Sequence, residues 1–253
     1  MQNLRMTDRD LLLFRYLFEE DFVSRDLIKK YIWRELSDSY VTHRLWRMTK
    51  EGYVKKYPDI RREQGTVLMA GKEAVKMVRN DTIRKRMRNL DIDQVQFYNS
   101  DIIFDHYEER DDLNKGTFEH DLMVTEVRLI LERLSEIDYW VSQRLLWKHN
   151  YNASDENKYG KIADGLVKWR DYILAVELEN NLKKQSRYDD IFKTYNKDKG
   201  INGVLYITTN DRIFKKLQVF TKKPKKFYIA DMSNIRKGIL KFSNSKSTVD
   251  LRK

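Results

Sequence analysis

A chain of 253 residues with 41% hydrophobic content can bury one large core or two ordinary ones. The absence of cysteine excludes disulfides, thiolate zinc sites and cysteine nucleophiles. Four histidines leave little for a histidine-rich metal centre, so any metal would be held by oxygen. The formal charge of +11 is unevenly spread: Lys and Arg outnumber Asp and Glu by 21 to 13 in residues 1–90, fall short by 6 to 16 in residues 91–157, and lead again by 23 to 10 in residues 158–253. Basic lobes interleaved with tyrosine and tryptophan favour a polyanion, nucleic acid ahead of anionic membrane, because no segment pairs a basic face with a strongly apolar one. No run is long and apolar enough to span a bilayer and no leader pattern is present, which predicts a cytoplasmic protein without membrane attachment.

In chain order, "TDRDLLLFRYLFEE" predicts a first helix with Thr7 as N-cap, Asp10 completing a capping box, and Leu11, Phe14, Leu17 and Phe18 on its buried side. A second helix is predicted from Ser24 in "SRDLIKKYIW". A third starts near Ser37 or Asp38, with Val41, Leu45 and Met48 inward and Gly52 at its end. Outward on the third helix are Tyr40, His43, Arg44, Arg47 and Lys50. A strand in "YVKKY" with Lys55 and Lys56, a loop tipped by Arg61 and Arg62, and a return strand in "TVLMA" form a basic hairpin before a helix in "GKEAVKMVRN". Three helices and a basic hairpin are the order of a winged helix-turn-helix, in which the third helix enters the major groove and the hairpin touches backbone. The stretch from "VTHRLWRMTKEGYVKKY" to "GKEAVKMV" resembles recognition helix, wing and closing helix in many bacterial regulators. The predicted contacts to double-stranded DNA are Tyr40, His43, Arg44, Arg47, Lys50, Lys55, Lys56, Arg61 and Arg62. Arg and Lys on the wing would set affinity, while His43, Arg44 or Arg47 could read base edges.

"DTIRKRMRNL" continues as a basic helix, closing a domain at residues 1–90; residues 91–116 form an acidic connector without an ordered metal-ligand spacing. From residue 117 to 253 the pattern predicts a mixed sheet covered by helices, in the order αβββαβαβ. The first helix is "TFEHDLMVTEVRLILERLSE", where His120 is expected as a core histidine and Glu126 lies on another face. Strands follow in "YWVSQRLLW", "KIADGLVKW" and "YILAVELE", a helix in "NLKKQSRYDDIFKTYNK", a strand in "GVLYITT", a helix in "DRIFKKLQVF" and a strand in "KFYIADM". The overall fold class is therefore α/β of the α+β kind.

Three acids, Asp164, Glu177 and Glu179, stand inside two apolar runs. A hairpin centred on Arg170 and Asp171 sets Asp164 opposite Glu177, and Glu179, two residues on, falls on the same face. Such a cluster either holds a proton or recruits a cation. A hard ion such as Mg²⁺ takes oxygen ligands and activates water for phosphodiester hydrolysis. Lys183, Lys184, Gln185, Arg187 and Tyr188 open the next helix and could meet the phosphate; the same lysines could instead pair with the glutamates in a structural network without metal.

Asp164 and the Glu177-Leu-Glu179 triplet, ahead of a helix bearing "KKQSRY", resemble the PD-(D/E)XK nuclease superfamily. The whole arrangement, with "FEHDLMVTEV" at the junction, is similar to the replication-relaxation family of plasmids and mobile elements. The resemblance implies a DNA-binding protein acting in replication, relaxation or transfer, with Asp164, Glu177 and Glu179 as metal ligands and catalytic groups and Lys183 or Lys184 stabilising the phosphate. Glu179 stands where that superfamily usually has lysine. The rival is a non-enzymatic regulator whose second lobe serves dimerisation or partner binding; an RNA partner rests on the same charge pattern, and a homodimer would suit paired half-sites.

Overall fold

Thr7 starts the first helix as anticipated: its side chain accepts from the Asp10 amide while the Asp10 carboxylate accepts from the Thr7 amide at 2.7 Å, closing a capping box on α1 (Asp8–Glu20). In this computed structural model the described residues are 4–57, 66–88, 117–154, 158–220 and 226–252. They divide into two compact units, one of residues 4–88 with 117–129 and the other of residues 130–252.

In the first unit, Leu11, Phe14, Leu17 and Phe18 are fully buried. Asp21, at φ 70°, ends α1 and releases the chain into a strand not anticipated, β1 (Phe22–Ser24). Ser24 then caps α2 (Arg25–Leu27), which continues as a π turn over Ile28–Ile32. Ser37 caps α3 (Asp38–Lys50). Gly52, at φ 77°, closes that helix, with the Tyr53 amide donating to the Met48 carbonyl at 2.9 Å. β2 (Val54–Lys56) and β3 (Val67–Ala70) are antiparallel, and β1 adds to the other side of β3, giving the order β1-β3-β2. Arg61 and Arg62 lie outside the described residues, as does the acidic connector. The single basic helix expected after β3 is two, α4 (Lys72–Val78) and α5 (Asp81–Arg88). Asn80 breaks it, its Oδ1 accepting from the amides of Thr82 at 3.0 Å and Ile83 at 3.3 Å.

The helix α6 (Phe118–Leu134) forms where its 3.6-residue pattern predicts. His120 is not a core residue: it is half-buried, with Nδ1 3.1 Å from Asp121 Oδ1. Within the first unit, Arg128 of α6 is fully buried against α1. It pairs with Glu19 and, at 2.5 Å, with Glu20, while Arg15 Nε reaches Glu19 at 3.3 Å and the Arg128 guanidinium lies 4.9 Å from the Tyr16 ring centroid.

The second unit is a seven-stranded mixed sheet flanked by helices. Its elements are β4 (Ile137–Ser142), α7 (Gln143–Asn152), β5 (Gly165–Trp169), β6 (Tyr172–Glu179), α8 (Gln185–Lys197), β7 (Gly203–Thr208), α9 (Asp211–Phe220), β8 (Phe227–Asp231), α10 (Met232–Arg236), β9 (Lys241–Ser243) and β10 (Thr248–Asp250). Spatial order runs β10-β9-β8-β7-β6-β5-β4, with β6, β7 and β8 mutually parallel and the other pairs antiparallel. The expected long strand after α6 stops at Ser142, whose hydroxyl accepts from the Leu145 amide and so turns "QRLLW" into α7. Asp164 does not lie in a strand, since β5 begins at Gly165.

The β5–β6 register is the anticipated one, with Trp169 opposite Tyr172 and Gly165 opposite Val176. Arg170 takes the turn at φ 54° despite having a side chain, and its guanidinium lies 4.6 Å from the Trp169 ring centroid and 3.6 Å from Glu136. Gly165 is obligatory for a steric reason: a Cβ there would stand 2.2 Å from the buried Trp140 indole. The sheet's two ends meet at one corner, where Ser135 bridges Arg252 and the Glu136 amide donates to the Leu251 carbonyl at 3.1 Å.

Candidate functional site

Because side chains alternate along a strand, Ala175, Glu177 and Glu179 of β6 share one face, and the parallel register sets Tyr206 of β7 beside Glu177 on it. Asp164, immediately before β5, reaches the same place: its Oδ2 accepts from the Leu178 amide at 2.7 Å and its Oδ1 from Gln143 Nε2 at 3.3 Å. All three carboxylates are buried. They sit toward the carboxyl end of β6, the end at which open α/β sheets bind ligands.

Each glutamate has a lysine. Lys161 Nζ donates to Glu177 Oε1 at 2.8 Å, and Lys183 Nζ donates to Glu179 Oε2. Lys184 stands at the N-cap of α8 with its side chain exposed, so Lys183 is the lysine brought to the acids. From α8, the Tyr195 hydroxyl donates to Glu177 Oε1, and Tyr188 hydrogen-bonds Glu179 while accepting from the Lys183 amide at 3.2 Å. Tyr206 is buried, and its hydroxyl meets no hydrogen-bond partner among the described residues.

Three carboxylates brought together in a buried setting repel one another, and Asp164 acts on Glu177 in that sense. Burial, and then the neighbouring Asp164, raise the Glu177 carboxyl above the ordinary carboxylate range, outweighing the lowering by Lys161 and Tyr195. Burial raises the phenols too: Tyr188 is pushed up to about 12, and Tyr195 and Tyr206 rise well above the usual tyrosine value, with Glu177 adding to both. A proton or a hard cation would relieve the repulsion. The all-oxygen donor set and the orphaned Tyr206 hydroxyl fit Mg²⁺ in chemistry. In their present positions, no three His, Cys, Asp or Glu side chains among the described residues stand together as one metal-holding group.

In the first unit, α3 presents an aromatic and basic face. Tyr40 is 47% exposed and Trp46 50% exposed. The His43 ring stacks on Trp46 at a centroid distance of 5.9 Å, Lys50 Nζ lies 5.1 Å from the same indole, and Arg47 is 3.5 Å from Glu51. Lys56 of β2 is exposed and Lys55 partly buried. Arg44, expected outward, is only 11% exposed. It donates to Asp10 at 3.2 and 2.5 Å and to the Arg5 carbonyl at 2.8 Å, which ties α3 to the cap of α1.

No family model, curated protein or solved structure matches this chain.

Several contacts of the acid site escape a reading by spacing. Lys161 and Gln143 lie outside the strands and were not anticipated as partners of the acids. Tyr195 could have been found, since it recurs seven residues after Tyr188 on one helical face. Trp46 belongs to the same stripe as His43 and Lys50 but reads as an interior residue by type.

The raised Glu177 carboxyl has a pH signature. The folded state binds this proton more tightly than the unfolded chain does, so the associated stability is fully present below the ordinary value of 4.5 and is lost as pH rises through the folded value. Glu177→Gln, which keeps shape and removes charge, should therefore gain stability relative to wild type as pH increases from about 4 to 8 in metal-free buffer. Urea midpoints of both proteins across that range test this; a difference that shrinks with pH would contradict it.

Proposed function

We propose that this protein binds double-stranded DNA through its first unit, with α3 as the reading helix of a winged helix-turn-helix. The observation that carries this is the face of α3, where Tyr40, His43, Trp46, Arg47 and Lys50 lie together at helical spacing, aromatic and cationic, with Glu51 beside Arg47. Arginine and lysine there suit phosphates, and the rings suit base edges and thymine methyls. The alternation of α1, β1, α2, α3, β2 and β3, with β1 paired to β3, supports the same reading. Assignment to a plasmid or other mobile element, and to its replication, relaxation or transfer, follows from the resemblance to the replication-relaxation family alone.

Fluorescence anisotropy with a mixed-sequence duplex tests the reading. Wild type should bind with an affinity that falls steeply with salt, and Arg47→Ala/Lys50→Ala should weaken binding about tenfold or more and flatten the log–log salt slope by about 2. Salt-independent binding, or equal affinities of the two proteins, would sink it.

A second reading concerns the other unit. The burial of Asp164, Glu177 and Glu179 around one place, with the Tyr206 hydroxyl lacking a hydrogen-bond partner among the described residues, favours a PD-(D/E)XK-like phosphodiester site. There Asp164 and Glu177, with Glu179, would hold Mg²⁺. The ion would supply polarisation of the phosphate and an activated water. Tyr195 and Lys161 would fix the rotamer of Glu177, Gln143 and the Leu178 amide would orient Asp164, and Lys183 would sit between Glu179 and an incoming phosphate. Against it stands the regulator reading, in which the Lys161–Glu177 and Lys183–Glu179 pairs are a finished structural network.

A further inference from the structure

Gln143, Trp147 and Tyr151 recur every four residues along α7 and so form one stripe on that helix. The first of them touches the acid site through its hydrogen bond to Asp164. The next two are the second unit's most exposed large aromatics among the described residues, Trp147 at 60% and Tyr151 at 89%. Successive members of the stripe are separated by about 6 Å of helix rise, so the rings begin one turn from the residue on Asp164 and continue outward. The helix is well anchored beneath them, with Ser142 capping it and Leu145 and Leu146 buried.

We propose that this stripe is a stacking track for single-stranded DNA, delivering the strand to the Asp164–Glu177–Glu179 cluster. Exposed planar rings need planar partners, and a duplex hides its base faces inside the stack whereas a single strand offers them. Charge selects the same occupant. α7 carries Arg144 and Lys148 and no acid, and between it and the acid site Lys158 and Lys161 stand against Asp155 and Glu156, so the stretch from α7 to the site keeps a positive balance. An apolar protein partner would call for aliphatic neighbours, but in sequence the rings alternate with Lys148, His149, Asn150 and Asn152. The inference rests on the reading of the protein as DNA-binding, yet it uses a different surface from α3.

The full chain is titrated against a labelled oligo(dT) of about 16 nucleotides and, separately, against a mixed-sequence duplex. Trp147→Ala and Tyr151→Ala should each weaken oligo(dT) binding about tenfold, Trp147→Phe should retain most of it, and all three should bind duplex as wild type does. Arg47→Ala/Lys50→Ala should do the reverse. Both rings are exposed, so unchanged melting is expected for every variant. The proposal is overturned if wild type does not bind oligo(dT), or if the double variant Trp147→Ala/Tyr151→Ala binds it equally well. It is also overturned if wild type sediments as a dimer that Trp147→Ala disperses, which would assign the face to a second copy. Absence of duplex binding by wild type, with its oligo(dT) binding intact, would fell the α3 reading and leave the stacking track standing.

Discussion

Glu19→Ala should destabilise the first unit by about 3–5 kcal/mol, the range for removing one partner from a buried ion cluster. Glu19 is the carboxylate between two guanidiniums, taking Arg15 at 3.3 Å and Arg128 on its other oxygen, and all three side chains are buried. Its loss takes from both interior cations the carboxylate they share, while Arg128 keeps its contact with Glu20 and its place over the Tyr16 ring. The cost is thus chiefly that of buried positive charge losing its shared counter-charge. Asp38→Ala, which removes a surface carboxylate 3.3 Å from Arg25, should cost less than about 1 kcal/mol by comparison. The denaturation midpoint of the transition reporting this unit measures both; a Glu19→Ala shift no larger than that of Asp38→Ala would show that the cluster is not what holds α6 to α1.

With Mg²⁺ or Mn²⁺, wild-type protein should convert supercoiled plasmid to open circle, and Asp164→Asn or Glu177→Gln should lower that rate at least 100-fold. These variants keep side-chain volume and remove the charge on which a cation would depend. Tyr195→Phe should slow nicking less, because it only frees Glu177 to turn. The folding controls are favourable: Glu177→Gln relieves a carboxyl already raised by burial. If protein that still binds duplex shows no metal-dependent nicking, the lysine pairs are the whole role of the acids and the regulator reading stands in its place.

What the residues made legible was mostly local. Thr7, Ser24 and Ser37 announced their helices because capping is a contact over three residues. The β5–β6 pairing could be derived because two strands of known phase meet at a two-residue turn, which leaves one register that keeps both apolar faces together. That register alone brought Asp164 to Glu177. The misses are non-local or short. Arg44 looks solvent-facing by helical phase, and only Asp10, on another helix, draws it inward. β1, β9 and β10 span three residues each, too few for alternation to register. In "YWVSQRLLW" both periods fit, and tertiary packing decided for a strand followed by a helix. Lys161 sits in irregular backbone, where no period predicts a partner.

The corner at which Ser135 meets Arg252 also bears on how the second unit assembles. These residues lie at opposite ends of the unit's sequence, so their bridge carries the largest loop-closure entropy in the sheet and depends on strands already aligned between them. During synthesis the β5–β6 hairpin and the β6-α8-β7 crossover can form as soon as they emerge, whereas the hoop of seven strands cannot latch until residue 252 is available. Until then the Glu136 amide just before β4 lacks its Leu251 partner, so the interval before latching is a stage at which this edge is open to strand addition by a neighbouring nascent chain.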